Sequence, residues 1–506
     1  MGALRSFLPS YPELLLAALC FLSLAALRLA VRARRQRAPV SWPMVGMLPF
    51  VLGNLGRLFD ATTDALRECG GTFVFRGPWL ARADFLVTCD PAAVQHCLAS
   101  NHGGYDKGRD FAEMFDVVGD GLLVADAASW VRQRHVAATV FGNPSFRSFV
   151  LSTMARQTAR LLVPFLDHAA AAASPDGLEI EDVFMRYSLD VSYASAFAAD
   201  LDTLEAALFR YIVPAWWWRM MRWLNVGTER RLAEAKAVLD EFVYREIANR
   251  KSESLDAASG RRGGGSDLLS LYMAWPRDPG VTERQRDQFL RDSAVGYMFA
   301  AKDLIVAALT WFFYILCTHP HVEAKILQEI KSLRPSATLN ATGGGEHAVF
   351  DSDALQAASY LHAAVLETLR LFPPAPFEEK EAVGDDVLPD GTKVPKGTRV
   401  IFCIYAMGRI EEIWGTDCHE FRPERWLSDT GRVRHEPSHK FAVFNCGPRN
   451  YLGKNLGLSN IKIAAAAILY NFQVELVDGH AVEPQNSVVL HSKNGMRVRI
   501  KRRKAA

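Results

Sequence analysis

No cysteine pair in this chain has the C-x-x-C spacing. The eight thiols present (Cys20, Cys69, Cys89, Cys97, Cys317, Cys403, Cys418 and Cys446) form no paired framework. That argues against a disulfide-stapled secreted domain and for reduced, mostly buried thiols in a reducing compartment. An excess of charge of one sign is missing too: the net charge is +2, and Lys and Arg are dispersed except at two places. Such a balance gives no nucleic-acid footprint. Hydrophobic residues make up 49% of the chain and charged residues 23%, which excludes disordered and fibrous classes. Internal repeats are absent, and no membrane-crossing run recurs beyond residue 50. What remains is 506 residues, enough for one large core or for two to three average domains.

The N-terminus carries a targeting signal. Leu14 to Leu27 is apolar but for Ser23, and Leu29 to Val31 continues the run past Arg28. About 18 residues is near the lower limit for a bilayer span, with Arg28 able to snorkel to the interface. Arg32, Arg34, Arg35 and Arg37 follow, against only Arg5 upstream, so the positive-inside rule places the body in the cytosol. A cleaved signal peptide is the rival reading, but its charges would precede the apolar core, and a small-residue cleavage site is missing. Pro43 and Pro49 stiffen the chain beyond the arginines. The expected organisation is an anchor over 1–31, a basic, proline-containing hinge over 32–50 and one body over 51–506.

Within the body, 251–266 and 334–345 read as surface loops by their Gly and Ser content, the first joining helices over about 229–250 and 267–274. Asn340-Ala-Thr342 fits a glycosylation sequon that a cytosolic loop leaves unused. From Thr282 to Thr318 there is no proline and one glycine, Gly296, and the stretch from Ala294 to Cys317 is almost wholly apolar. A helix this apolar must cross the interior. A second membrane span is disfavoured by Lys302-Asp303 near its middle. Most other segments up to about residue 375 read as helical, and β-rich pieces sit near 72–76, 85–88, 399–402, 474–477 and 496–501. The fold class expected is mainly α with small β-sheets.

Glu367-Thr-Leu-Arg370 puts two opposite charges three apart on one helix face. Alone it is weak, since most such pairs are solvated surface bridges. It precedes Leu371-Phe-Pro-Pro-Ala-Pro376 and is followed, about 50 residues on, by Phe421-Arg-Pro-Glu-Arg425-Trp426 and then by Phe444-Asn-Cys446-Gly447-Pro-Arg449-Asn-Tyr451-Leu-Gly453. That last stretch resembles the haem-binding loop of cytochromes P450, F-x-x-G-x-R-x-C-x-G, at every anchor except the cysteine, where Tyr451 stands. The resemblance covers nearly the whole chain, and it implies the cytochrome P450 fold preceded by one N-terminal transmembrane helix. It also implies a structural Glu367–Arg370–Arg425 network, and haem-propionate contacts from Trp130, Arg134 and Arg449. The similarity is strongest to the plant branch that hydroxylates long-chain fatty acids and alkanes, through Phe299-Ala-Ala-Lys-Asp303, Ala308-Leu-Thr-Trp-Phe312, Tyr360-Leu-His-Ala-Ala364, Tyr405 to Trp414 and the Trp-rich 216–225.

Two departures touch chemistry. Oxygen activation in that family needs an anionic sulfur behind the iron, which Tyr451 cannot supply. It also needs a threonine on the central helix, in A-G-x-D-T, to organise protons; here Ala300-Ala301-Lys302-Asp303-Leu304 puts Leu304 at that place, beside Asp303. Ala301 replaces the usual glycine and would crowd the oxygen groove. Three rescues stay open: Tyr451 as a phenolate ligand, with Arg449 as the cation that lowers its pKa; Cys446 as a substitute thiolate; or haem bound weakly or not at all.

The resemblance then implies two functions from different classes. One is a lipid monooxygenase at the endoplasmic reticulum membrane, fed by NADPH through cytochrome P450 reductase on a basic face to which Lys440, Arg449 and Lys454 contribute. The other is a pseudoenzyme that keeps an apolar pocket for a long-chain ligand or a partner without turnover.

Overall fold

The computed structural model describes residues 38–503 apart from 80–83, 173, 196–214, 259–265, 277–278 and 341–345. The expected anchor over 1–31 lies outside the described residues.

A single helix, Glu283–Thr318, runs through the body. Thr282 starts it with a reciprocal cap: its hydroxyl accepts from the Gln285 N–H, and the Gln285 side chain accepts from the Thr282 N–H at 2.9 Å. No proline interrupts the 36 residues. Leu309, Trp311, Phe312 and Phe313 on it are fully buried, and each such side chain contributes about 1.5–3 kcal/mol of burial. Among the described residues it alone is long and apolar enough to cross a membrane, yet most of its apolar stretch is enclosed by protein. Lys302 and Asp303 are buried in it as a pair 3.5 Å apart.

Around this helix pack Ile180–Ser195, Ser359–Leu371 and Lys454–Asn471. To one side lies a five-stranded mixed sheet in the order Thr72–Phe75, Phe85–Thr88, Arg399–Cys403, Phe377–Ala382, Tyr105–Asp106. Its one parallel pairing sets Val400 opposite Leu86, and the remaining neighbours are antiparallel. A three-stranded antiparallel sheet joins Phe472–Leu476, Arg497–Arg502 and Leu178–Glu179.

Several expectations need correction. The helix placed over 229–250 runs on to Ala258, as Gly227–Ala258, because Ser, Glu, Leu, Asp and Ala up to that point are all compatible with a helix; the glycines beyond lie outside the described residues. The loop placed over 334–345 contains a strand, Ala337–Asn340, paired with Glu346–Val349. Residues 42–50, read as hinge, dock on the body: Met47 is buried, and its N–H bonds the Arg76 carbonyl at 2.7 Å. Gly46 permits this approach, since a Cβ there would overlap the Arg76 and Gly77 carbonyl oxygens.

The Glu367 carboxylate has no exposure and accepts from Arg370 Nε and Nη2 (both 2.8 Å), Trp426 Nε1 (2.8 Å), the Arg422 N–H (3.0 Å) and Arg425 Nε (3.4 Å). Arg370 continues to the Gly408, Cys418 and Glu420 carbonyls, and Arg425 to those of Trp414 and Asp417. One buried anion thus organises the segment leading to the 444–453 loop. Substituting Glu367→Ala leaves two guanidinium groups buried without it and is expected to lower stability by about 3–5 kcal/mol, read as a lower denaturation midpoint.

Candidate functional site

A cavity of about 810 Å³ opens where the central helix passes the 444–453 loop, within the range of small-molecule sites. Gly296, Tyr297, Phe299, Ala300 and Leu304 line it from the helix, and Arg449 to Gly453 from the loop. Phe111, Phe115, Phe141 and Tyr272 make an aromatic wall. Trp130 and Arg134 enter from the helix Ala127–Gly142. Lys107, Glu378, Glu379 and Arg399 bring charge to one part of the lining.

The loop is shaped for close approach. Gly447 has φ +65°, and a Cβ there would overlap the Leu98 carbonyl oxygen. The Tyr451 N–H bonds the Phe444 carbonyl at 2.8 Å. Tyr451 then extends to the central helix, where its hydroxyl donates to the Ala300 carbonyl at 3.3 Å. Its ring lies against Gly453, where a Cβ would stand 2.8 Å from the phenol carbon and oxygen. Enclosure by protein, with a smaller contribution from Tyr297, pushes the phenol above its usual pKa, so it stays a neutral donor.

The basic groups have protein partners. Arg449 pairs with Asp126 at 2.7 Å, donates to the Ala125 carbonyl at 3.0 Å and stacks 4.7 Å above Trp130. Arg134 donates to the Asn450 carbonyl at 2.7 Å and to its side-chain oxygen at 2.5 Å; burial, then Arg449, lowers its pKa. Lys107 bonds Glu378 at 2.8 Å, and Lys380 lies 3.3 Å from the same carboxylate. Burial opposes the charge on Glu378, but the two lysines prevail and hold it down to about 2.

Trp130, Arg134, Leu304, Arg449, Tyr451 and Gly453 line one cavity. Others do not. Asp303 is turned away, buried beside Lys302. Cys446 is 2% exposed and faces Ser438 at 3.2 Å, outside the cavity lining. Phe444 and Gly447 shape the loop from behind. Ala300, not Ala301, faces the cavity; the Ala301 carbonyl is taken by Ser188. Arg449 points inward to Asp126 and Trp130 instead of adding to an outer basic face. The Lys107–Glu378–Lys380 cluster was not anticipated. The alternating charges of Phe377-Glu-Glu-Lys-Glu-Ala382 resemble a solvated edge strand, yet Glu379 and Lys380 are buried.

Comparison with known proteins decides the family. The cytochrome P450 family model matches residues 37–498. The chain belongs to the cytochrome P450 family. Relatives include "Noroxomaritidine synthase" of Narcissus aff. pseudonarcissus MK-2014, 38% identical over 514 residues and covering 98% of both chains. "Cytochrome P450 86B1" of Arabidopsis thaliana is 38% identical, covering 96% of this chain and 89% of its own. "Alkane hydroxylase MAH1" of Arabidopsis thaliana is 36% identical, covering 91% and 92%. Relatives of equal similarity thus carry names for different products and substrates.

Cytochromes P450 carry haem and usually take electrons from NADPH through a reductase. Such a group would be held between the loop and the central helix and would supply oxygen activation there. The side chains here do not fit a haem held in that way. Tyr451 crosses the interval, and its hydroxyl is engaged by the Ala300 carbonyl of the opposite wall. Arg449 is neutralised by Asp126.

Burial, then the charge of Lys107, depresses Lys380 to about 7, with Glu378 opposing both. The unfolded chain therefore binds more protons than the folded one between about pH 7 and the ordinary lysine range, and Lys380 makes stability rise with pH across that window. Thermal unfolding of the protein and Lys380→Met from pH 6 to 10 is expected to show that rise in the former and a flatter profile in the latter.

Proposed function

We propose that this chain is a membrane-anchored cytochrome P450 relative that holds a long-chain apolar ligand but has lost conventional oxygen activation. The observation that carries the reading is Tyr451: the position of the sulfur ligand holds a neutral phenol bonded to the Ala300 carbonyl. Leu304 presents a hydrocarbon side chain to the cavity where the relay hydroxyl would act. Both changes affect chemistry, while Glu367, Arg370 and Arg425 keep the structural network intact. The apolar cavity supports retention of a ligand.

The residues' roles follow from their contacts. Arg134 and Arg449 tie the loop to the helix carrying Trp130, Phe111 and Phe115 present an apolar wall, and Gly453 gives the phenol room. The location proposed is the endoplasmic reticulum membrane with the body on the cytosolic side and the anchor over 1–31. Exposed Trp216, Trp217 and Trp223 support contact with a membrane interface. Match across nearly the full length of named enzymes favours a second reading, an active lipid hydroxylase with an unusual axial ligand. The phenol's bond to the Ala300 carbonyl and the turned-away Cys446 argue against its two ligand candidates.

Microsomes containing the full chain, reductase and NADPH are expected to form no oxygenated product from long-chain alkanes or fatty acids. The same preparation is expected to bind a fluorescent long-chain probe displaceable by an unlabelled alkane. Product formation is expected only when Tyr451→Cys and Leu304→Thr are combined; product from the unmodified chain contradicts the reading.

A further inference from the structure

We propose that Tyr451 is a strut that takes the structural place of the prosthetic group, bracing the 444–453 loop against the central helix so that the body closes without haem, and that its phenol bars the ring from entering. The proposal deepens the preceding reading, on which it rests for the family's cofactor position.

A flat ring between two protein walls stands about 3.5 Å from each, so the interval has to stay clear by about twice that distance. Here the tip of a side chain rooted in one wall is 3.3 Å from the carbonyl of the other. The phenol cannot keep this bond and admit a macrocycle along the same line. Gly453 is part of the arrangement: any side chain there would collide with the phenol as it lies.

The loop's remaining attachments are also internal. Arg449 is bound to Asp126 and the Ala125 carbonyl, and Arg134 to Asn450, so both flanks are fixed by groups of this chain. A neutral phenol suits the task, since a phenolate has no proton to donate to Ala300. The strut is therefore a hydrogen bond and a packed ring joining segments about 150 residues apart in sequence.

The test uses the full chain in detergent, without added haem and then titrated with haemin in the presence of imidazole as an external ligand. The expected result is that the unmodified protein unfolds cooperatively without haemin. Tyr451→Phe should unfold about 1–2 °C lower through loss of the bond, while its haemin uptake stays as poor, because the ring still fills the interval. Tyr451→Ala should unfold lower still and bind haemin at least about tenfold more tightly than the unmodified protein. Should Tyr451→Ala be unfolded alone, recovery of cooperative unfolding with haemin and imidazole supports the strut. Failure to recover, together with an unchanged midpoint for Tyr451→Phe, overturns it. Haemin uptake by the unmodified protein equal to that of Tyr451→Ala also overturns it. That last outcome leaves the loss of oxygen activation standing, whereas product formation by the unmodified chain, which requires bound haem, would overturn both.

Discussion

The helix Glu283–Thr318 belongs to both apolar cores of the body. Val306, Leu309, Phe312 and Phe313 pack into the helical core. Ala307 and Trp311 pack into the core beneath the five-stranded sheet, where Trp311 stacks 4.3 Å from Phe372 and donates to the Leu490 carbonyl at 2.6 Å. Burying an apolar helix from all sides requires layers around it, and the neighbouring helices, Gly227–Ala258 among them, and the sheets supply them. The cavity lies where Gly296, Ala300 and Leu304 on the helix face the 444–453 loop, from which Tyr451 reaches the Ala300 carbonyl.

On that frame the sequence divides into two kinds of position. Glu367, Arg370 and Arg425 match the family and are joined by bonds that hold the loop's approach. Tyr451 and Leu304, which the proposed function takes as departures, line the cavity. A buried ionic network tolerates little change, because losing one partner strands the others. Changing the ligand position leaves that network untouched and alters what the cavity can do. Fold and chemistry have separate physical supports here, which is how one can persist without the other.

Much of the fold was legible in the residues. The proline-free apolar run beginning at Thr282 predicts the central helix, and the β-rich piece over 85–88 coincides with Phe85–Thr88. Less legible were features decided by tertiary pairing. Ala337–Asn340 forms a strand because Glu346–Val349 returns beside it, and Glu379 and Lys380 in Phe377–Ala382 are buried where Arg399 pairs with Glu379 and Lys380 lies beside Glu378. At the site, motif spacing brought Trp130, Arg134, Arg449, Tyr451 and Gly453 together. It could not tell that Asp303 turns from the cavity or that Arg449 is held by Asp126, since helix rotation and ion-pair choice depend on distant residues.

The most direct test of the central claim is an absorption spectrum of the purified full chain, reduced and exposed to carbon monoxide. A neutral, protein-bonded phenol at the ligand position predicts no thiolate-type Soret shift in the unmodified protein, and its appearance in a Tyr451→Cys variant supplied with haem. A thiolate-type shift in the unmodified protein would mean that a sulfur of this chain reaches the iron, and Tyr451 would then not occupy the ligand position as a neutral phenol.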